Sequence, residues 1–132
     1  MGKNITAQKR VKGSPRYRAP SFRYPGKARH FSRDAQGIVT DIVHSPGHTA
    51  PLLVVTYANH EKQLAIAAQG IKVGDMIATG GSAEAKNGAT LPLGAIAEGE
   101  LVCNIESIPG DGGKFVRASG MSARVLSKTT DS

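Results

Sequence analysis

The sequence predicts an all-β fold in which two small barrels follow a basic, extended N-terminal arm. Several short runs are rich in β-branched residues, which favour strands. Turn-forming glycine, proline and asparagine separate these runs, as in barrels and sandwiches built from short strands. No segment repeats apolar residues convincingly at the 3.6-residue period of a helix. With 132 residues and no tryptophan, the chain can bury only a modest core of aliphatic side chains.

The N-terminal segment is strongly basic. Residues 1–33 contain ten lysines and arginines and no acidic residue, whereas residues 34–132 contain seven basic and ten acidic residues. This asymmetry indicates a polyanionic partner, either nucleic acid or an acidic membrane surface. Pro15, Pro20 and Pro25 each disfavour helix at the residue before them. We therefore expect residues 1–36 to form an extended arm that is disordered in the free protein.

Aromatic residues alternate with the cations of the arm, as in Arg16-Tyr17-Arg18 and Phe22-Arg23-Tyr24. This combination is typical of proteins that bind irregular RNA, because rings and guanidinium planes stack on bases while positive charge lies against phosphates. A solvated basic tail is the alternative interpretation. The interleaving favours RNA binding, and the candidate RNA-binding residues of the arm are Lys3, Lys9, Arg10, Lys12, Arg16, Arg18, Arg23, Lys27 and Arg29.

From residue 37 onward the pattern is that of strands. Segments 37–43, 51–57, 61–67 and 76–79 are β-branched or alternate polar and apolar residues. Asn87-Gly88 is the strongest hairpin-turn signal in the chain. The best helix candidate is a single turn at residues 66–70. Residues 37–89 therefore fit a five-stranded barrel of the oligonucleotide-binding (OB) type.

A glycine-rich loop at residues 109–120 organises the remainder of the chain. Predicted strands at 101–107 and 115–126 flank it and would begin a second small barrel in residues 90–132. Glycine permits sharp turns and close backbone approach, so the N–H groups of such a loop can point outward to a phosphate chain. We expect a loop that faces RNA, together with a cation at the start of a strand. The corresponding RNA-binding candidates are Lys62, Gly112, Gly113, Lys114 and Arg117.

Catalytic and metal-binding chemistry find little support in the sequence. His44 and His48 are four residues apart, but Pro46 and Gly47 make the segment a turn, and no third ligand has suitable spacing. Segment 110–115 lacks the first glycine and the Ser or Thr that a nucleotide-binding P-loop requires. We therefore predict no catalytic residues, no metal, no cofactor and no small-molecule substrate.

Cysteine usage and hydropathy indicate the cellular compartment. Cys103 is the only cysteine, which excludes a disulfide within the chain and suits the reducing cytosol. Its place in an apolar run predicts a small core side chain. No apolar run approaches the length of a membrane span, and the polar N-terminus is unlike a secretory signal. A cytoplasmic protein without membrane contact is expected.

The whole chain resembles the N-terminal half of the large-subunit ribosomal protein L-two family, in its archaeal and eukaryotic form. The matching segments follow one another in the family's order over nearly the whole chain. They are Met1-Gly2-Lys3, Gln8-Lys9-Arg10, Tyr17-Arg18-Ala19-Pro20-Ser21, Arg23-Tyr24, Asp41-Ile42-Val43-His44, Ala50-Pro51, Val73-Gly74-Asp75, Thr90-Leu91-Pro92-Leu93, Asn104-Ile105-Glu106-Ser107, Pro109-Gly110-Asp111-Gly112-Gly113-Lys114-Phe115 and Arg117-Ala118-Ser119-Gly120.

This resemblance implies an N-terminal extension, an OB barrel and an SH3-like barrel, all bound to large-subunit ribosomal RNA. It also implies that an arginine at the start of a barrel strand and another after the glycine loop bind RNA. Lys62 stands at the first position and Arg117 at the second. Lysine keeps the charge of arginine but lacks its bidentate fork. The family extends beyond the position of Ser132, so we expect an incomplete second barrel, and no catalytic role transfers to this chain.

The expected function is that of a structural constituent of the large ribosomal subunit, which binds and stabilises its RNA during translation in the cytoplasm. Its expected partners are large-subunit ribosomal RNA and neighbouring ribosomal proteins. A free-standing RNA-binding module, or a translation factor with tandem small barrels, is the alternative. One copy per large subunit would favour the structural role.

Overall fold

The computed structural model describes residues 2–129. The protein is mainly β, with helix confined to short segments. The one α-helix of the described residues is α1, Thr6–Val11, and 3₁₀ turns cover Pro15–Tyr17, Ser21–Arg23 and Leu93–Ala95. The strands are β1 Ala35–Val43, β2 Leu52–Tyr57, β3 Lys62–Ile66, β4 Met76–Thr79, β5 Leu101–Val102 and β6 Ala123–Arg124.

Strands β1 to β4 form an antiparallel sheet in the order β3-β2-β1-β4. The long strand β1 pairs with β2 along most of its length and with β4 through its first residues. A bulge places Thr40 outside the ladder, where its hydroxyl donates to the carbonyl of Val54 at 3.0 Å. At the other edge, β3 pairs with β2 from Ile66 back to Lys62. Among residues 2–129 the pairing closes no barrel.

The main buried cluster lies on one face of this sheet, while Leu52 is buried on the other. Val39, Leu53, Val55, Tyr57 and Ile77 form its buried cluster. Phe31, which precedes the sheet, stacks on the ring of Tyr57 with centroids 3.9 Å apart and planes 14° from parallel. The last residues of the basic segment are therefore packed against the folded body.

The first four strands agree closely with the sequence prediction. Each observed strand lies within two residues of its predicted bounds. Asn87-Gly88 does form a turn, in which the amide of Ala89 donates to the carbonyl of Lys86 at 3.0 Å. The turn does not close a hairpin, because Thr90 instead forms a parallel bridge with Thr79 of β4.

The helix prediction was wrong, and the arm is not extended throughout. Residues 66–70 form the end of β3 and a turn rather than a helical turn. Helix α1 lies instead in the arm, ahead of the first proline, Pro15. The side-chain oxygen of Gln8 accepts from the amide of Ile5 at 3.2 Å and so satisfies one of the free donors at the helix start. No described helix is both long and apolar enough to cross a bilayer.

The second half contains much less strand than predicted. Strands β5 and β6 pair over two residues each, and one isolated bridge joins Ile105 to Phe115. Asn104 and Val116 have φ values of 52° and 57°, and this left-handed backbone interrupts an extended chain. Cys103 follows the end of β5 and is exposed, so its predicted place in the core is corrected.

Candidate nucleic-acid interface

The backbone N–H groups of residues 107–115 are bonded within the chain. Two carboxylates, from Glu106 and Asp111, accept hydrogen bonds from five backbone N–H groups. Glu106 accepts from Gly110 and Gly112, both at 2.9 Å. The outward-pointing amides expected for a phosphate-binding loop are therefore not present in this part of the structure, because these N–H groups already have anionic partners.

Asp111 organises its own turn. One carboxylate oxygen accepts from the amide of Gly113 at 3.0 Å, and the other accepts from Ser107 at 2.9 Å and Ile108 at 3.2 Å. The amide of Gly113 is the largest cause that lowers the pKa of this carboxyl below its ordinary value of 3.8, and Lys114 adds a smaller effect. The carboxylate of Asp111, in its ionised form, thus holds the loop through these hydrogen bonds.

Two buried glycines allow close packing beneath the loop. Gly112 and Gly113 are buried and have φ values of 86° and 99°. A Cβ on Gly112 would come within 3.0 Å of the side chain of Arg29. A Cβ on Gly113 would collide with the side-chain amide of Asn104. These glycines therefore serve internal packing, and their predicted RNA-binding role stays a prediction.

Residues 28–30, which we call the strap, run between the sheet edge and the glycine loop. On the sheet side, the amide of Arg29 donates to the carbonyl of Leu64 at 3.0 Å. The side-chain amide of Gln63 donates to the carbonyl of Arg29 at 3.2 Å. The strap thus adds one backbone and one side-chain hydrogen bond at the open edge of β3, which would otherwise present unpaired groups.

On its other side the strap bonds to the second half of the chain. The amide of His30 donates to the carbonyl of Gly112 at 3.0 Å. The Nε2 atom of His30 lies 2.5 Å from the carbonyl oxygen of Asn104. Because a carbonyl only accepts, Nε2 is the protonated nitrogen in this contact. The strap therefore joins two halves that are distant in sequence.

Arg117 closes the same junction from the loop side. Its Nη2 atom donates to the carbonyl of Ala28 at 2.7 Å, and its Nη1 atom donates to the carbonyl of Gly113 at 3.2 Å. Its Nε atom is buried and has no hydrogen-bond partner among residues 2–129. Ala28 itself is 3% exposed. The guanidinium is turned toward the interior of the junction, and its predicted contact with RNA stays a prediction.

The other predicted cations are exposed. These are Lys3, Lys9, Arg10, Lys12, Arg16, Arg18, Arg23, Lys27, Arg29, Lys62 and Lys114. Within the described part of the chain, the one ion pair joins Lys86 to Glu84 and involves none of them. Their charges therefore have no carboxylate partner among the described residues and are available to an external polyanion.

The aromatic residues of the arm are accompanied by guanidinium groups. Arg10 lies over the ring of Tyr17 at 5.9 Å from its centroid, and Arg23 lies 5.5 Å from the centroid of Phe22. Phe22 is 83% exposed. Such rings remain available for stacking on bases, as predicted for RNA recognition by the arm.

The second histidine of the pair, His48, contacts a serine of its own turn. The hydroxyl of Ser45 lies 3.0 Å from Nδ1 of His48, and Ser45 is fully buried within the turn. In residues 2–129, no group of three or more histidine, cysteine or carboxylate side chains is arranged to hold a metal ion.

Several residues of this region were missed by the sequence analysis. They are Ala28, His30, Asn104 and Glu106, which bond the strap and the loop together. The Asp111-Gly112-Gly113 segment did contain a usable signal, because an aspartate followed by glycine often accepts from the amide two residues onward. No comparable local signal marks the strap, because its partners come from distant segments.

Comparisons with known proteins give a consistent result. The family model described as "Ribosomal Proteins L2, RNA binding N-terminal domain" matches residues 2–79, and "Ribosomal Proteins L2, C-terminal domain" matches residues 86–132. The "Large ribosomal subunit protein uL2" of Methanothrix thermoacetophila is 52% identical over 124 residues, covering 92% of this chain and 52% of the relative. The protein of the same name from Methanocella arvoryzae is 47% identical over 130 residues, covering 96% of this chain and 55% of the relative. The chain spans about half the length of the curated relatives it matches.

The packing of Asn104 over Gly113 yields a stability prediction. Gly113→Ala would combine a left-handed alanine, which costs about 1–2 kcal/mol, with a collision against Asn104. Gly110→Ala is the matched control, because Gly110 has a φ of 88° but a methyl group added there would meet no atom within 4 Å. Urea unfolding should show a larger loss of unfolding free energy for Gly113→Ala. Equal losses would contradict this packing.

The lowered pKa of Asp111 yields a pH prediction. Because the pKa is lower in the folded than in the unfolded chain, ionised Asp111 stabilises the loop above pH 3.8. That contribution is lost as the pH falls through the folded pKa. NMR titration should move the amide shifts of Ser107, Ile108 and Gly113 together, with a midpoint below 3.8.

Asp111→Asn is the control for this titration, because it removes the ionisable group and should abolish the shared midpoint. The amides of Gly110 and Gly112, which donate to Glu106, provide an internal comparison in the same spectra. A midpoint at or above 3.8 in the parent protein would contradict the assigned hydrogen bonds.

Proposed function

The chain belongs to the ribosomal protein L2 family, and from that premise we propose that it is a structural constituent of the large ribosomal subunit. In this role it binds and stabilises large-subunit ribosomal RNA during translation in the cytoplasm, with neighbouring ribosomal proteins as further partners. The supporting observation is a set of exposed cations with no carboxylate partner among residues 2–129, borne on an arm whose last residues are built into the folded body.

The arm supplies most of the charge. Its cations neutralise phosphates and release condensed counterions, which makes affinity strongly dependent on salt. Its exposed rings, such as Phe22, stack on unpaired bases. Because the arm is continuous with the strap, its path is directed from a fixed point on the body. In the RNA-bound protein the arm is therefore ordered where it joins the body, at residues 28–30, and its N-terminal part adapts to the RNA.

The body supplies the shape-specific part of the contact. Lys62 begins β3 at the sheet edge, Arg29 lies on the strap beside that edge, and Lys114 lies in the glycine loop. All three are exposed. They present cations from three segments that the strap holds together. Recognition of this kind reads the geometry of an RNA backbone rather than base edges.

We further propose the finer architecture that the family resemblance implies. Residues 37–89 correspond to an OB-type unit and residues 90–132 to part of an SH3-like unit, preceded by the arm of residues 1–36. The four-stranded sheet and the short second sheet are the elements that support this division. The proposed protein is not an enzyme, and its proposed interactions require no cofactor.

The central test is RNA binding over a salt series. The full chain is titrated with a transcript of archaeal large-subunit ribosomal RNA and with an unrelated folded RNA of similar length. Lys62→Gln and Lys114→Gln should each weaken binding to the ribosomal RNA. Each should also reduce the slope of log affinity against log salt by roughly 0.7–0.9, the value for one lost phosphate contact.

Lys86→Gln is the matched control, because Lys86 is exposed but already paired with Glu84, and it should leave both affinity and slope unchanged. Equal affinity of the parent for both RNAs would overturn the ribosomal role and support a general RNA-binding module. A preference for ribosomal RNA that survives both substitutions with an unchanged slope would instead remove Lys62 and Lys114 from the interface.

A further inference from the structure

We propose that Arg117 is a positioning residue for RNA binding rather than a phosphate contact. In this proposal, which rests on the proposed function above, its guanidinium holds the strap against the glycine loop. It thereby fixes the relative placement of two exposed cations, Arg29 and Lys114. The inference concerns how the binding surface is assembled, and it differs from the direct role that the resemblance implies for Arg117.

The guanidinium of Arg117 is bonded to carbonyl groups of its own chain. Its two terminal nitrogens donate to two carbonyls, those of Ala28 and Gly113, which lie in segments far apart in sequence. The Nε atom is buried. A guanidinium has five N–H donors in a rigid fork. Two of them bond to these carbonyls and the Nε donor is buried, which leaves only the second proton on each terminal nitrogen for any other partner.

The backbone just before Arg117 is held in an unusual conformation. Val116 has a φ of 57°, a conformation that is unusual for a β-branched residue. Its carbonyl accepts from the amide of Asn104 at 2.9 Å, and Asn104 is also left-handed and is 5% exposed. Surrounding contacts must hold such a conformation in place. Arg117 follows the constrained Val116 directly, and its side chain bonds to the carbonyl of Ala28.

Arg29 and Lys114 both lie next to the glycines at which Arg117 and the strap meet. The side chain of Arg29 lies over Gly112, since a Cβ on that glycine would approach Arg29 within 3.0 Å. Lys114 follows Gly113, the residue whose carbonyl Arg117 binds. Loss of the clamp would leave only the bonds of His30 to Gly112 and Asn104 between the strap and this region. The placement of Arg29 relative to Lys114 would therefore loosen, while the charge of each stays intact.

Substitutions of Arg117 that keep its charge can be compared with substitutions that remove it. A direct phosphate contact and a positioning role predict different RNA affinities and salt slopes for these variants. Arg117→Lys keeps the positive charge but cannot bridge two carbonyls with a planar fork. Arg117→Gln removes the charge. Lys114→Gln serves as the reference for a lost phosphate contact. The parent and the three variants are titrated with the archaeal large-subunit ribosomal RNA transcript over a salt series, after circular dichroism confirms that each is folded.

For the positioning role, Arg117→Lys and Arg117→Gln should both weaken binding, by roughly 10- to 150-fold for the loss of a hydrogen bond made by a charged group. Their salt slopes should equal that of the parent. Lys114→Gln should lower the slope by roughly 0.7–0.9. In the free protein, trypsin should cleave after Arg29 faster in both Arg117 variants, whereas Lys114→Gln should leave this cleavage rate unchanged.

Near-parental binding by Arg117→Lys, together with a reduced slope in Arg117→Gln, would overturn the proposal and establish a direct phosphate contact. Parental binding and parental trypsin cleavage in both variants would overturn it as well. If the parent itself shows no preference for ribosomal RNA, the proposed function fails and the positioning role fails with it. In that case the rate of cleavage after Arg29 would still report whether Arg117 clamps the strap.

Discussion

The junction between the strap and its two neighbours is the interaction on which the rest of the structure depends. Residues 28–30 bond to the edge of β3 on one side and to the glycine loop on the other. The two sheets share no strand, so this segment supplies a direct set of hydrogen bonds between the halves of the chain. The stacking of Phe31 on Tyr57 extends the same anchoring into the core.

Satisfaction of backbone polar groups explains the form of the glycine loop. The loop contains two buried glycines, Gly112 and Gly113, whose N–H groups need partners because buried donors without partners are costly. Glu106 and Asp111 provide those partners from within the chain. The loop is consequently a rigid support rather than an open anion cradle, and Lys114 is left as its exposed cation. Rigid support of this kind suits recognition by shape, because cations fixed in space match only certain arrangements of phosphates.

The first sheet was predictable because its signals are local. The β-branched runs at β1 and β2 and the turn residues between strands fix where extended backbone begins and ends. The charge of the arm was equally plain from composition. The strap was not predictable, since its bonds join His30 to Asn104 and Ala28 to Arg117 across 74 and 89 residues. The periodicity of apolar residues in a sequence gives no information about contacts between residues so far apart in the chain.

In the second half of the chain, strands predicted from local sequence patterns differ most from those observed. Its sequence favours two strands longer than those observed, but Asn104 and Val116 adopt left-handed backbone to reach partners elsewhere in the fold. Tertiary contacts thus override strand propensity. The family resemblance seen in the sequence is confirmed by the matching family models, while the inward orientation of Arg117 emerged only from the structure.

Native-state amide hydrogen exchange of the free protein would show whether the strap is bonded to both halves of the chain. The amides of Arg29 and His30 donate to Leu64 and Gly112, so they should exchange as slowly as those of β1 and β2. The amides near the start of the arm should exchange far faster, because local opening there breaks few contacts. Exchange of Arg29 and His30 at the rate of the outer arm would contradict the account, since the strap would then not join the two halves of the chain.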